Sequence, residues 1–346
     1  MARSAITIKD VAREADVSVA TVSRALNGHE NVAEAVRQHV IATASRLRYQ
    51  PHAAARSLSS RRTQTIGVVL PDLHGEFFSE LIRGIDTVAR ARGQHLLLSS
   101  YHGNTAEQGE ALKAMRGRVD GLLLLSPYHE SGGFLQDNLP PLLPAVLINT
   151  RQDNQDYPSL SIDNFGGAVE MVRHLLQSGH RRIAFIAGPE DNFDAHERQR
   201  GFRQAMQERD DTDAWELAGD FSEASGYRAG KAIADAEALP DAVFAANDMM
   251  ALGCLFALGE SGLQVPARVA LAGFDDIPLA RFVHPPLTTM QVSIAGLGER
   301  AMTRLLDQID DNDTTGQRSQ MLSPTLVVRG SSQSHSPPPA YPAGAG

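Results

Sequence analysis

From residue 65 onward the chain alternates short, almost unbroken apolar runs with longer stretches of helical periodicity, and few architectures accept that pattern. The runs occupy residues 65–70, 95–99, 121–125, 145–148, 183–187, 242–246 and 269–273. The helical stretches occupy residues 78–92, 105–116, 165–177, 198–208, 225–236 and 249–261. A strand that is apolar on both faces must be covered on both, as in a parallel sheet flanked by helices. The alternation therefore predicts a doubly wound α/β body, long enough for two lobes of ordinary domain size. Open parallel sheets receive ligands beyond the carboxyl ends of their strands, so two facing lobes predict a small-molecule cleft between them.

Residues 1–50 carry three short amphipathic segments and almost no strand signal. Thr7-Ile-Lys-Asp10 is a capping box that opens a first helix through Val11 and Ala12 to Ala15. Ala15-Asp16-Val17-Ser18 then makes a tight turn, in which Asp16 tolerates a left-handed backbone, Val17 packs inward and Ser18 caps the next helix. In that second helix Val22 and Leu26 are spaced to pack down, which leaves Val19, Ala20, Thr21, Ser23 and Arg24 to face outward. A third helix over residues 33–47, capped by Asn31, is expected to bury Val36, Val40, Ile41, Ala44 and Leu47. The head is all-α, a helix-turn-helix.

The formal net charge of −9 argues against nucleic acid only if it is taken as a whole. Residues 1–62 hold ten Lys and Arg against five acids, a net of +5, which leaves −14 for the rest. A basic head on an acidic body is the asymmetry of a DNA reader whose other domain does something else. The single cysteine, Cys254, lies in an apolar helical stretch and reads as a small core residue, in keeping with a reducing cytoplasm. The N-terminal residues lack an apolar signal core, and no run is long enough to span a membrane, so a soluble, non-exported, cytoplasmic protein is expected.

Thr7-Ile-Lys-Asp-Val-Ala12, Val17-Ser-Val-Ala-Thr-Val-Ser-Arg-Ala-Leu-Asn27, Tyr49 with Pro51, and Ala55-Arg-Ser-Leu58 together resemble the lactose/galactose repressor (LacI/GalR) family of bacterial transcriptional repressors. The similarity runs to about Arg329. It implies a helix-turn-helix domain at 1–50, a hinge helix and linker at 51–62, a two-lobed, periplasmic-binding-protein-like effector and dimerisation domain at 63–330, and a disordered tail at 331–346. DNA-contacting positions carried over residue by residue are Thr7, Lys9, Ser18, Val19, Ala20, Thr21, Ser23, Arg24, Asn27, Tyr49, His52, Ala55, Arg56 and Leu58. In the family the short segment after Pro51 folds on operator DNA, pairs with its dimer mate and wedges a leucine, here Leu58, into the minor groove. The family often has a basic residue next; here it is Ser59, with Arg61 and Arg62 close behind. Val19 and Ala20 imply an operator like those of galactose-type members, with a central CG step. The family's tetrameric members add a C-terminal leucine heptad, whereas residues 331–346 contain no leucine, so a homodimer on a pseudo-palindromic operator is expected.

At the predicted strand ends stand Asp72, Phe77 and Phe78, Asn149, Asp163, Asn247 with Asp248, and Asp275 with Asp276; Arg198 opens a helix, and Phe221 follows Gly219-Asp220. Carboxylates and amides grip vicinal hydroxyls, arginine offers a rigid fork, and an aromatic face covers the apolar side of a sugar ring. The resemblance assigns effector contacts to Arg198, Asn247, Asp275 and Phe221, and Asn149 stands where sugar-responsive members carry Asn or Asp. A mono- or disaccharide is the expected effector, with no cofactor and no metal.

Two other classes fit less well. An enzyme would need a catalytic motif, but 226–231 (Gly-Tyr-Arg-Ala-Gly-Lys) lacks phosphate-loop spacing, the twelve histidines form no HExxH, and no GxSxG elbow occurs. A transporter's solute receptor would suit the two lobes but neither the missing export signal nor the basic head.

Overall fold

The first helix begins where a carboxylate ties down the chain ahead of it. In the computed structural model, which describes residues 6–26, 31–49, 62–128, 134–139, 142–150, 157–311 and 319–333, Asp10 accepts both the Thr7 N–H (3.0 Å) and the Thr7 hydroxyl (2.7 Å). Those bonds, led by the one from the Thr7 backbone, hold the Asp10 carboxyl below its ordinary range. Helix α1 (Ile8–Glu14) ends in a turn with Asp16 at φ +53°, and α2 (Val19–Leu26) follows, with Ser18 Oγ accepting the Thr21 N–H at 3.0 Å. Helix α3 (Glu34–Arg46) completes a small core of Val11, Ala15, Val22, Ala25, Val40 and Ala44.

Two expectations for α3 are corrected. Ala33, not Asn31, is the N-cap residue, and no side chain caps this helix. Ile41 is 39% exposed, because it lies one residue, about 100° of helical rotation, beyond the buried position Val40. Asn27, His52, Ala55, Arg56 and Leu58 lie outside the described residues.

The division into compact units falls between Thr63 and Gln64. The second unit contains two parallel sheets. One is built from β1 (Thr65–Leu70), β2 (His95–Ser100), β3 (Gly121–Leu125), β4 (Ala145–Ile148), β5 (Ser159–Ile162) and β11 (Ser319–Leu322), in the order β11-β5-β4-β3-β1-β2. The other is built from β6 (Arg182–Ile186), β7 (Asp213–Leu217), β8 (Ala242–Ala245) and β9 (Ala270–Ala272), in the order β7-β6-β8-β9. An antiparallel ribbon of β10 (Thr289–Gln291) and β12 (Thr325–Val327) adjoins it. The helices are α4 (Glu76–Ala91), α5 (Thr105–Met115), α6 (Phe134–Asn138), α7 (Asn164–Gln177), α8 (Phe193–Met206), α9 (Glu223–Ala234), α10 (Asp248–Glu260) and α11 (Ile294–Ile309). Central strands β1, β3, β4, β6 and β8 are buried along nearly their whole length, as their apolar runs require.

The chain passes between the lobes three times: from β5 into α7, from β10 into α11, and from β11 into β12. Two of these crossings are joined where the Asp163 N–H donates to the Leu322 carbonyl at 2.9 Å. The returning helix α11 packs on α4 through glycine. A Cβ at Gly84 would lie 2.0 Å from the Ala295 carbonyl oxygen, and one at Gly298 would lie 2.4 Å from that of Leu81.

The expectation of a disordered tail from residue 331 is corrected at its first residues. Ser331 and Ser332 are fully buried: the Ser331 hydroxyl donates to the Leu271 carbonyl at 2.6 Å, and that of Ser332 lies 2.8 Å from the Thr288 hydroxyl. Each serine satisfies a polar group beside β9, a role that composition could not reveal. Residues 334–346 lie outside the described residues. Gly84→Ala is expected to push α4 and α11 apart and cost the body about 1–3 kcal/mol in chemical denaturation; an unchanged midpoint would disprove the close packing.

Candidate functional site

The carboxyl ends of both parallel sheets face a cavity of about 160 Å³ in the second unit, roughly ten times what one water requires. The first lobe contributes Asp72, Phe77 and Phe78 after β1, Leu125, Pro127 and Tyr128 around the end of β3, and Asn149 after β4. The second contributes Asn192, Asp194 and Arg198 after β6, Asp220 to Glu223 after β7, Asn247 after β8, and Asp275 after β9. Helix starts line up here because each strand feeds the next helix across this edge.

Arg198 is the hub. Its Nε donates to Asn164 Oδ1 (2.8 Å), one Nη to the Ala246 carbonyl (2.5 Å) and the other to Asp275 Oδ1 (3.1 Å). The guanidinium also lies 3.9 Å from the ring centroid of Phe274 and 5.9 Å from that of Phe221. Asn164 in turn donates to Asp194 (2.9 Å), whose other oxygen accepts the Asn149 amide (2.9 Å). Asn149 belongs to the first lobe and Asp194 to the second, so this chain of bonds crosses the cavity floor.

Burial pushes the Asp194 carboxyl up to about 7 and that of Asp275 up to about 6; Arg198 opposes both shifts. Asn149 is 2% exposed, and its Oδ1 has no hydrogen-bond partner among the described residues. The amide of Asn149 cannot simply be turned round, because its Nδ2 faces the Asp194 carboxylate. That leaves an unsatisfied acceptor on a residue that lines the cavity.

Phe221 sits at φ +69°, unusual for an aromatic residue. Gly188 makes room for it: a Cβ there would lie 2.6 Å from the ring. Asn247 caps α10 through the Met250 N–H (2.9 Å) and donates to the Phe221 carbonyl (3.0 Å), which holds that loop against the cavity.

Of the residues expected at the cleft, Asp72, Phe77, Phe78, Asn149, Arg198, Phe221, Asn247 and Asp275 line the cavity. Asp163 is corrected: it is not among the lining residues, and its carboxylate caps α7 by accepting the Gly166 N–H at 2.8 Å. Arg198 does not open a helix; α8 starts at Phe193 behind an Asn192 cap and carries Arg198 in its second turn. Asp248 and Asp276 are structural. Asp248 accepts the Thr289 hydroxyl and the Ile277 N–H, and Asp276 holds Arg329 (2.6 Å), Arg281 (3.3 Å) and Gln291 (2.8 Å). Sequence reasoning missed Asp194 and Asn164; a usable signal was the Asn192-x-Asp194 helix start.

In the head, Val19 is 42% exposed, and Thr7, Lys9, Ser18, Ala20 and Arg24 are also exposed. Thr21, Ser23 and Tyr49 are partly covered. Small, exposed side chains at the start of α2 suit close approach to a groove.

Residues 7–52 match the family described as bacterial regulatory proteins, lacI family, and residues 172–332 match a periplasmic binding protein-like domain. The HTH-type transcriptional repressor CytR of Escherichia coli K12 is 36% identical over 335 residues, 95% of this chain and 97% of the relative. The chain belongs to the LacI family. A further relative, the Ribose operon repressor of the same organism, is 37% identical over 94% of this chain and 99% of its own. The Lac repressor dimer bound to operator and the anti-inducer ONPF superposes with a TM-score of 0.86 at 28% identity, covering 96% of this LacI-family chain and 100% of that one. The complex of the transcriptional regulator CelR with cellobiose gives a TM-score of 0.68 at 31% identity over 94% and 99%.

Two variants test the cavity. Arg198→Ala strands the Asp275 carboxylate in a site where it is 5% exposed, and is expected to cost about 3–5 kcal/mol in denaturant unfolding; a loss below about 1 kcal/mol would show that the hub carries no such weight. Gly188→Ala is expected to displace the Phe221 ring while the fold persists, visible as altered aromatic NMR shifts; an unmoved ring would refute the steric assignment.

Proposed function

We propose that the chain is a transcriptional repressor, a regulator and not an enzyme, that acts in the cytoplasm and binds pseudo-palindromic operator DNA as a homodimer. A sugar in the cavity controls its operator affinity. The observation that carries the reading is the polar floor running from Asn149 in one lobe to Asp275 in the other, with an orphaned acceptor at its first-lobe end. A ligand that satisfies both walls stabilises the closed arrangement of the lobes, and any change in operator affinity follows from its differential affinity for the two arrangements.

In this reading Ser18, Val19, Ala20, Thr21, Ser23 and Arg24 meet the major groove, and Thr7, Lys9 and Tyr49 contact the phosphate backbone. Asn27, His52, Ala55, Arg56 and Leu58 complete the DNA surface. In the effector site Asn149, Arg198, Asn247 and Asp275 hold hydroxyls, Phe77, Phe78 and Phe221 cover the ring, and Asp72 closes the first-lobe side. Support comes from the Lac repressor bound to operator, from the transcriptional regulator CelR in complex with cellobiose, and from a LacI family transcriptional regulator of Enterococcus faecium with bound ribose. Among the described residues no helix is long and apolar enough to cross a membrane, and no group of side chains is arranged to hold a metal ion.

The test is selection of sites from random duplex DNA, followed by titration of the selected site with mono- and disaccharides. The expected outcome is a dyad-symmetric site whose affinity one sugar shifts several-fold; an asymmetric site would refute the dimeric reading. Arg24→Ala is expected to weaken binding across sequences and to lower the slope of log K against log salt by about 1.

A further inference from the structure

The walls of the cavity carry more acids than bases. Five carboxylates line it, on Asp72, Asp194, Asp220, Glu223 and Asp275, against the Arg198 guanidinium and the His74 imidazole among the described residues; His74 lies 3.8 Å from Glu223, and Arg228, outside the lining, reaches Asp220 at 3.3 Å. The Arg198 side chain is 4% exposed and is already committed to Asp275, Asn164 and the Ala246 carbonyl. The Arg198–Asp275 pair thus cancels within the floor, and Asp72, Asp194, Asp220 and Glu223 are the acids that remain.

One opposing effect has to be weighed. The helices α4, α8, α9 and α10 all start at this edge, and a helix N-terminus attracts anions. Here those ends are occupied by the protein's own groups. Asn192, Ser222 and Asn247 side chains accept first-turn N–H groups of α8, α9 and α10. Each of the four helices also carries an acid in its first turn: Glu76, Asp194, Glu223 and Asp248. Of these, burial raises the Asp194 and Asp248 carboxyls, so the fixed charge that offsets the partial positive ends, roughly half a charge each, comes from Glu76 and Glu223. The raised Asp194 and Asp275 carboxyls have a different cause, burial, which makes the floor a costly place for any further negative charge.

The cavity also has an acceptor in need of a donor. The Asn149 Oδ1, buried and without a partner among the described residues, asks the ligand for an O–H or N–H. The acidic walls accept hydrogen bonds as well. We propose that the cavity selects an uncharged, polyhydroxylated effector and rejects the phosphorylated or carboxylated form of the same compound. This rests on the effector role proposed above and sharpens it: the carboxylates at the mouth, Asp220 and Glu223, act as a charge filter, while Asn149 takes a hydroxyl.

The experiment is calorimetric titration of the full chain with neutral pentoses, hexoses, disaccharides and nucleosides, each paired with its own phosphate ester, at neutral pH. The expected result is binding by at least one neutral compound and at least about a hundredfold weaker binding by its ester, since a like charge brought against fixed charges loses several powers of affinity. The Asp220→Asn/Glu223→Gln double variant is expected to narrow that gap to about tenfold or less, and an unchanged gap would remove the filter role from these two residues. An ester that binds as tightly as its parent overturns the charge selection and leaves the effector role standing. If no compound of either kind binds, the effector role itself falls, and the selection with it. The comparison on the unaltered chain stands even if the double variant does not fold.

Discussion

The arrangement of the second unit depends on one buried cation. A guanidinium that is 4% exposed must have its charge and its N–H groups satisfied from within. Arg198 draws its partners from three separated stretches: Asn164 at the crossing into α7, Ala246 at the end of β8, and Asp275 beyond β9. Phe274 supplies a flat face beneath it at 3.9 Å. Satisfying one side chain thereby brings the ends of neighbouring strands to one level, the geometry that a ligand site at a sheet edge requires. Buried ion pairs contribute little net stability, but removing one partner is severe, so the pair acts more as a constraint than as glue.

That constraint extends across the lobes. Asp194 takes an amide from Asn164, beside Arg198, and another from Asn149 in the first lobe. Near the mouth the Glu76 carboxylate accepts the Leu279 N–H at 3.1 Å, and the Phe193 N–H meets the Pro127 carbonyl at 2.6 Å. Among the described residues, polar contacts around the cavity thus join the lobes, together with three chain crossings. Contacts of this kind are replaceable by ligand hydroxyls, and an equilibrium between two lobe arrangements can be biased by a small molecule only through such differential contacts.

Much of the fold was readable in the residues. Strands β1, β3 and β4 run where their apolar blocks end, because burial on both faces leaves no polar position to blur the limits. Edge strand β7, with its first residues exposed, and the three-residue β10 and β12 were not readable: they are strands only because a neighbour pairs with them. Asp163 shows the limit at the site. A carboxylate after a strand can face a cleft or cap the next helix with equal chemistry, and here the Gly166 N–H takes it. Asp194 shows the reverse case, a helix-start acid that turns out to lie on the cavity floor.

The sequence by itself determined a helix-turn-helix head, a doubly wound body of two lobes, and a site at the strand ends. Each follows from local quantities: capping residues, hydrophobic period and the sign of charge along the chain. Only the tertiary structure decided which polar side chains meet: that Arg198 is neutralised by Asp275, that Asn149 is left with an open acceptor, and that Asp248 and Asp276 serve the scaffold. The physical reason is that a buried polar group takes its role from its partners. Here those partners lie 41 to 77 residues away, so their identity enters only when the chain is folded.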